Sequence, residues 1–266
     1  MPTLKAVLDI LEEIAPTHAA ENWDNPGLQI GRLSQEVGKI FISLDPTLKS
    51  LRKAVKRNAQ VLLTHHPLIP KPVSSLNRDR YPGDVIFEAI ERGVSIIAAH
   101  TNLDAVRDGI NDGLAGLFGL QEVEELEERG DLNEGGFGRI GDLPEPARLG
   151  EVIERIKVIL GAEKIRVVGR KDRKIKRVAV VGGAGGGMVA LASRKGANLL
   201  ITGDVRHHEA LEAEALGLAL IDAGHFQTEK TALKPFVNCL RNRFSEQKMD
   251  VIVEVNDKEE SPMRYE

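Results

Sequence analysis

One cysteine, Cys239, is all the thiol chemistry the chain has. That excludes an internal disulfide and any zinc site built on several thiolates, and among its apolar helical neighbours Cys239 reads as a small hydrophobe. Long apolar runs are missing as well. No stretch nears the roughly 18 consecutive apolar residues a membrane helix needs. Lys5, Asp9, Glu12 and Glu13 break the N-terminal segment into an amphipathic helix unlike the core of a signal peptide. A cytoplasmic protein is the default expectation. Excess charge of either sign is also lacking, with 36 Lys+Arg against 40 Asp+Glu and a formal charge of -4. Such a balance gives no overall case for nucleic acid as a partner. What is present is ordinary globular material, 42% hydrophobic residues and 26 glycines in 266 residues. This is enough for one large domain or two smaller ones.

The chain repeats itself. With Gly31-Arg32 laid on Gly169-Arg170, the same offset sets Ile40-Phe41-Ile42-Ser43 on Val178-Ala179-Val180-Val181. It also sets Ala59 to Thr64 on Ala197 to Thr202 without a gap. Each copy reads as an apolar strand, a loop, a helix (Thr47 to Arg57, then about Met188 to Lys195) and a second apolar strand ending in threonine. Continuous apolar runs around a helix are the pattern of βαβ units with buried parallel strands. A third strand follows in each copy, Gly93 to Ala99 and Gly217 to Ala223. Its offset is shorter because the first copy carries an extra Pro-rich, charged loop from Pro67 to Gly83. The expected fold is α/β, a duplicated pair of units with mixed, largely parallel sheets. The expected division gives residues 1–128 to the first half, completed by 230–266, and 129–229 to the second. Between the halves, the acidic run in Gln121 to Gly141 reads as a boundary or an edge strand. That run and the basic run Arg170 to Arg177 are most simply solvated surface.

Seven histidines are few, and all but His18 follow an apolar strand. His65 and His66 come after Val61 to Thr64. His100 and Asp104 come after Ser95 to Ala99, and Asp204, His207 and His208 after Leu199 to Thr202. His225 and Glu229 come after Leu218 to Ala223. Packing does not place polar residues at strand C-termini repeatedly, whereas ligand binding does. His100-x-x-x-Asp104 and His225-x-x-x-Glu229 match across the repeat, each an imidazole and a carboxylate that one helical turn brings to the same side. Imidazole with carboxylate and no thiolate suits Zn, Fe, Mn, Co or Ni. Adjacent residues of a regular strand point to opposite faces, so His65 and His66 share a site only where the strand breaks, and Pro67 marks that break. The donors exceed the needs of one catalytic ion, and a dinuclear centre bridged by carboxylate is the economical reading.

Gly182-Gly183-Ala184-Gly185-Gly186-Gly187 stands after a strand and before a helix. It matches no nucleotide-loop pattern, and two readings stay open: an anion cradle of backbone amides, or a tight turn that needs close backbone approach. Trp23 in Trp-Asp-Asn-Pro-Gly is expected to pack beneath a turn, with Asp24 or Asn25 facing the site.

Five motifs in order, Glu21 to Gly31, Thr64-His65-His66-Pro67-Leu68, His100-Thr101-Asn102-Leu103-Asp104, Thr202-Gly203-Asp204 and Gly224-His225-x-x-x-Glu229, resemble the Nif-three-like family. Its members are labelled GTP cyclohydrolase I type 2 homologues. The resemblance spans nearly the whole chain and implies a three-layer α/β/α duplicated fold and a toroidal homohexamer. It also implies a centre of two metal ions facing the internal cavity, with His65, His66, Asp104, His225 and Glu229 as ligands. On this reading the protein is a metal-dependent hydrolase of a nucleotide-like or other small anionic substrate, with His100, Asp204 and His208 moving protons or orienting ligands. The alternative is a carrier that delivers iron or another metal. Enzymatic activity is left open between them.

Overall fold

Apolar runs bounded by turn residues become the central strands, and a helix follows each of them. The computed structural model describes residues 1–129 and 135–264. They fall into two compact units, Met1–Leu103 with Val237–Glu260, and Asp104–Phe236 with the residues from Ser261.

In the first unit α1 (Leu4–Ile14) buries Leu4, Val7, Ile10 and Leu11, and Thr3 caps it by accepting from the Ala6 amide. The sheet contains β1 (Gly27–Ile30), β2 (Lys39–Ser43), β3 (Val61–Thr64) and β4 (Ser95–Ala98), in the order β1-β4-β3-β2. A C-terminal strand, Ile252–Val255, lies outside β2. All pairings are parallel except β1 on β4. Helices α2 (Leu48–Lys56) and α3 (Gly83–Arg92) make the crossovers. Residues of β3 and β4 are buried throughout, as expected of parallel strands covered on both faces. Leu51, Ala54, Leu62, Val85 and Ile96 form the centre of one apolar cluster there. The register sets Ser43 beside Thr64 and Thr64 beside Ala98, so the residues after β2, β3 and β4 leave the sheet at one level.

The short α4 (Thr101–Ala105) and α5 (Ile110–Leu117) lead to β5 (Gln121–Glu128) and the long β6 (Gly136–Arg148). After α6 (Leu149–Leu160) come β7 (Arg166–Val168), β8 (Lys174–Val180), α7 (Val189–Arg194), β9 (Leu199–Thr202), α8 (His207–Ala215), β10 (Ala219–Asp222) and α9 (His225–Glu246). The second sheet runs β5-β6-β8-β9-β10-β7, parallel from β8 to β10 and antiparallel outside that centre. The repeat is therefore physical: β4-β3-β2 and β10-β9-β8 share one strand order, with β1 and β7 antiparallel on equivalent edges. The acidic run is edge strand β5, mostly exposed, with Glu128 bonded to Lys195 at 3.1 Å and Glu124 paired with Arg177. Residues 130–134 of the inter-half segment lie outside the described residues.

One core residue was not expected. Arg139 on β6 is 2% exposed and donates to the carbonyls of Gly136, Gly138 and Val106 at 2.8, 2.8 and 3.1 Å, as well as to the Asp112 carboxylate. A buried cation is tolerated only when its donors are satisfied like this. Replacing Arg139 with methionine, which keeps much of the volume, leaves these acceptors without their donor. The expected loss is roughly 2–4 kcal/mol of unfolding free energy by urea titration, and a loss under about 1 kcal/mol would refute the assignment.

Candidate metal centre

The strand β3 ends at Thr64, whose hydroxyl donates to the His66 carbonyl at 2.7 Å, while the His65 and His66 amides still bond to the Ser43 and Leu44 carbonyls. Beyond that break two neighbouring imidazoles converge, with ring centroids 5.1 Å apart. His100, after β4, brings a third ring to 5.2 Å from His65 and 5.5 Å from His66. One nitrogen from each of the three lies within 4.8 Å of the others, a spacing that can hold a metal ion. The convergence expected from Pro67 is therefore present, and the strand ends deliver it.

Each imidazole is fixed through its Nδ1. His65, 1% exposed, donates from Nδ1 to the Ala99 carbonyl at 2.8 Å. His66 donates to Asp45 at 2.7 Å and His100 to Asp24 at 2.8 Å. An acceptor on Nδ1 selects the tautomer whose Nε2 presents its lone pair, the arrangement that metal-bound histidines use. The supporting acids are themselves held. Asp45, in the turn after β2, has its amide bonded to Glu259 at 2.9 Å, and the neighbouring Leu44 amide donates to the same carboxylate at 2.8 Å. Asp24 also accepts from the Thr101 amide at 3.1 Å and its hydroxyl at 2.5 Å.

In the second unit α9 starts at His225, and one turn later its Glu229 meets the His225 Nε2 at 3.1 Å. His225 Nδ1 donates to Asp204 at 2.8 Å, repeating the imidazole–acid support of the first unit. Glu229 and Asp104 are buried carboxylates, 3% and 6% exposed, which is costly unless a cation or donors compensate the charge. The Asp104 carbonyl accepts from Asn111 Nδ2 at 2.9 Å, and Asn111 Oδ1 accepts from the Gly182 amide at 2.9 Å. Asn111 thereby ties the acid on α4 to the glycine run.

Half of that run's amides are spent inside the protein. Its Gly182, Gly183 and Gly185 amides are consumed by Asn111, Thr228 and Thr202 at 2.9, 3.1 and 2.8 Å. Close approach favours the second reading, the tight turn that requires glycine. Gly183 has φ +67°, and a Cβ there would lie 2.2 Å from Glu229 Oε1 and 3.3 Å from His225 Nε2.

His208 is exposed at the start of α8 beside His207, at 5.8 Å between rings. Among the described residues no group of metal-ligating donors includes it. Trp23 departs from expectation too. It is 65% exposed instead of packed beneath its turn, because the turn spends its polar contacts on Asp24 and Asn25 and leaves the indole outside. Asp45, Asn111, Thr228 and Glu259 were not anticipated. Asp45 had a readable signal, an acid directly after an apolar strand, whereas Glu259 had none because its partners are remote in sequence.

Two expectations can be checked without any ligand. Gly183→Ala combines a left-handed backbone with a blocked approach and is expected to cost about 1–2 kcal/mol or more in urea unfolding. Gly187→Ala, which points into open space, is expected to be near neutral. Equal effects would remove the close-approach argument. For Asp24, burial pushes the carboxyl up, but the bonds from His100 and Thr101, the charge of His100 and the Asn25 amide outweigh it and hold the value at about 2, below the ordinary 3.8. A lowered acid stabilises fully above its unfolded value and loses that contribution as pH falls through the folded one. Between about pH 4 and 2 the wild type should lose about 2 kcal/mol that Asp24→Asn does not lose. Parallel slopes for the two proteins would contradict this.

The DUF34/NIF3 (NGG1p interacting factor 3) family model matches residues 2–262. A Clostridium acetobutylicum protein named GTP cyclohydrolase 1 type 2 homolog is 34% identical over 227 residues, covering 85% of each chain. A Helicobacter pylori protein named GTP cyclohydrolase 1 type 2 is 35% identical over 232 residues, 86% of this chain and 88% of its own. The crystal structure of a Staphylococcus aureus hypothetical protein superposes with a TM-score of 0.94 at 30% identity, covering 100% of both chains. With the duplicated α/β architecture, these matches make the chain a member of the DUF34/NIF3 family.

Proposed function

We propose that the chain holds two divalent cations through His65, His66, Asp104, His225 and Glu229 and acts as a hydrolase on a small anionic, nucleotide-like substrate. The observation that carries this reading is the uniform treatment of the imidazoles. His65, His66, His100 and His225 each donate Nδ1 to a fixed acceptor, which sets the ring's orientation, and the His225 Nε2 faces the Glu229 carboxylate at 3.1 Å. Three imidazoles, of His65, His66 and His225, with the buried Asp104 and Glu229 make a set suited to Zn, Fe, Mn, Co or Ni, and the lack of a thiolate cluster fits it. Two such ions, when bound, supply Lewis acidity and a water acidified to near neutral pH. The protein's own residues do the rest. His100 is the proton-handling group, held by Asp24, and Asp204 acts through His225 by fixing its ring. His208, exposed at the start of α8, would act here only by moving protons or orienting the ligand. The names of the Clostridium and Helicobacter relatives support a purine nucleotide as the first substrate to try. The family resemblance supports a homohexamer, and a cytoplasmic location is the default expectation; no described helix is long and apolar enough to cross a membrane.

The exposure of Asp204 and the half-buried position of its partner His225 support a second reading, in which one ion is labile and the protein is a metal carrier. Elemental analysis of protein purified without chelator or a nickel column separates these. About two ions per chain are expected, lost in His65→Ala and in Glu229→Ala, and GTP turnover should vanish in Asp104→Ala. Metal content unchanged in both variants would overturn the ligand assignment. Full occupancy with no turnover of nucleotides, phosphoesters or cyclic amides would overturn the hydrolase, and rapid loss of one ion to a chelator would favour the carrier.

A further inference from the structure

Trp23 is the single tryptophan of the chain, and it is 65% exposed. A large exposed aromatic is informative in a way that an exposed leucine is not, because so much apolar surface is left in water. Its position is equally informative. The indole stands edge-on to His100, 5.9 Å between centroids, and His100 belongs to the three-imidazole cluster.

The segment that carries Trp23 is tightly held. The Glu21 amide donates to Thr101 Oγ1 at 2.9 Å, and the Asp24 amide donates to the Glu21 carbonyl at 2.9 Å. Asn25 Nδ2 reaches the Ile69 carbonyl at 2.6 Å, and the Asp24 carboxylate binds His100 and Thr101. Residues on both sides of Trp23 are thus fastened to the segment that bears His100, while the ring itself is left presented. A rigid aromatic face costs little conformational entropy to use, and base–aromatic stacking is worth roughly 10-fold or more in affinity.

We propose that the exposed indole of Trp23 is the stacking face for a planar heterocyclic ring of the ligand bound at the His65–His66–His100 cluster. This rests on the reading of that cluster as a metal site and adds to it the residue that holds the ring. The cluster takes the anionic or reacting part of the ligand, and the indole takes the flat, uncharged ring. An acyclic phosphoester or a plain sugar phosphate has nothing to place on Trp23 and is excluded as the preferred substrate.

Having one tryptophan makes the test direct, since all indole emission comes from this position. Wild-type protein with measured metal content is titrated with guanosine, adenosine, a pterin and a pyridine nucleoside, and with ribose 5-phosphate and inorganic triphosphate as ring-free controls. Saturable quenching by at least one heterocycle and by neither control is expected. By calorimetry, Trp23→Ala should weaken that heterocycle about 10-fold or more, Trp23→Phe should retain most of the affinity, and both should keep wild-type metal content. Quenching by none of the four, or equal affinity in Trp23→Ala, overturns the proposal. So does a change of oligomeric state in Trp23→Ala by light scattering, which would assign the indole to contact between copies. Failure of the metal reading shows separately, as absent metal in the wild type, and leaves the quenching result interpretable.

Discussion

An imidazole has two nitrogens, and what happens at one decides what the other can do. In this chain the Nδ1 atoms of His65, His66, His100 and His225 are all spent on acceptors held by the protein, a backbone carbonyl in the first case and the carboxylates of Asp45, Asp24 and Asp204 in the others. The four rings are consequently fixed in tautomer and in orientation before any ligand arrives. The parallel register serves this end, since β2, β3 and β4 finish level, so that Asp45 meets His66 and the His66 and His100 rings come within 5.5 Å of each other. Preorganisation of this kind removes an entropic cost from binding, and it explains why so many polar groups are concentrated where a sheet ends.

The same logic extends to groups that never meet a ligand. Asn111, Thr228 and Thr202 occupy three amides of the glycine run, and at Gly183 the backbone passes so close to the Glu229 carboxylate that a Cβ would not fit between them. Glu259 plays the corresponding part in the first unit by holding the amides of Leu44 and Asp45. Small residues and side-chain acceptors do by contact what a longer loop would do loosely.

Much of this was legible in the sequence. The duplication was visible as one offset between two apolar–helix–apolar patterns, and Leu199 to Thr202 came out with its observed bounds. The clustering of His65, His66 and His100 followed from their place after strands and from the proline that ends β3. What stayed hidden was long-range partnership. Nothing local marks Glu259 as a partner of Asp45, or Arg139 as a buried cation serving the carbonyls of four other residues. Trp23 was misread because burial is the usual fate of a large apolar ring, and the turn around it uses its hydrogen bonds to hold the indole outward. The glycine run allowed two readings from composition alone, and the side chains that occupy the Gly182, Gly183 and Gly185 amides favour the tight turn.

The repeat has a consequence for how far its copies have drifted. The offset that matches Thr64 with Thr202 also sets His66 on Asp204 and Asp45 on Gly183. One copy thus keeps the acid on its first strand end and the ring on its second. The other has moved the acid to the second strand end, takes its ring from the third, and has emptied the first to backbone. An aspartate transplanted from position 45 to 183 would meet the Glu229 carboxylate head-on, like charge against like in a space without room for a methyl group. The halves descend from one pattern and are no longer interchangeable parts.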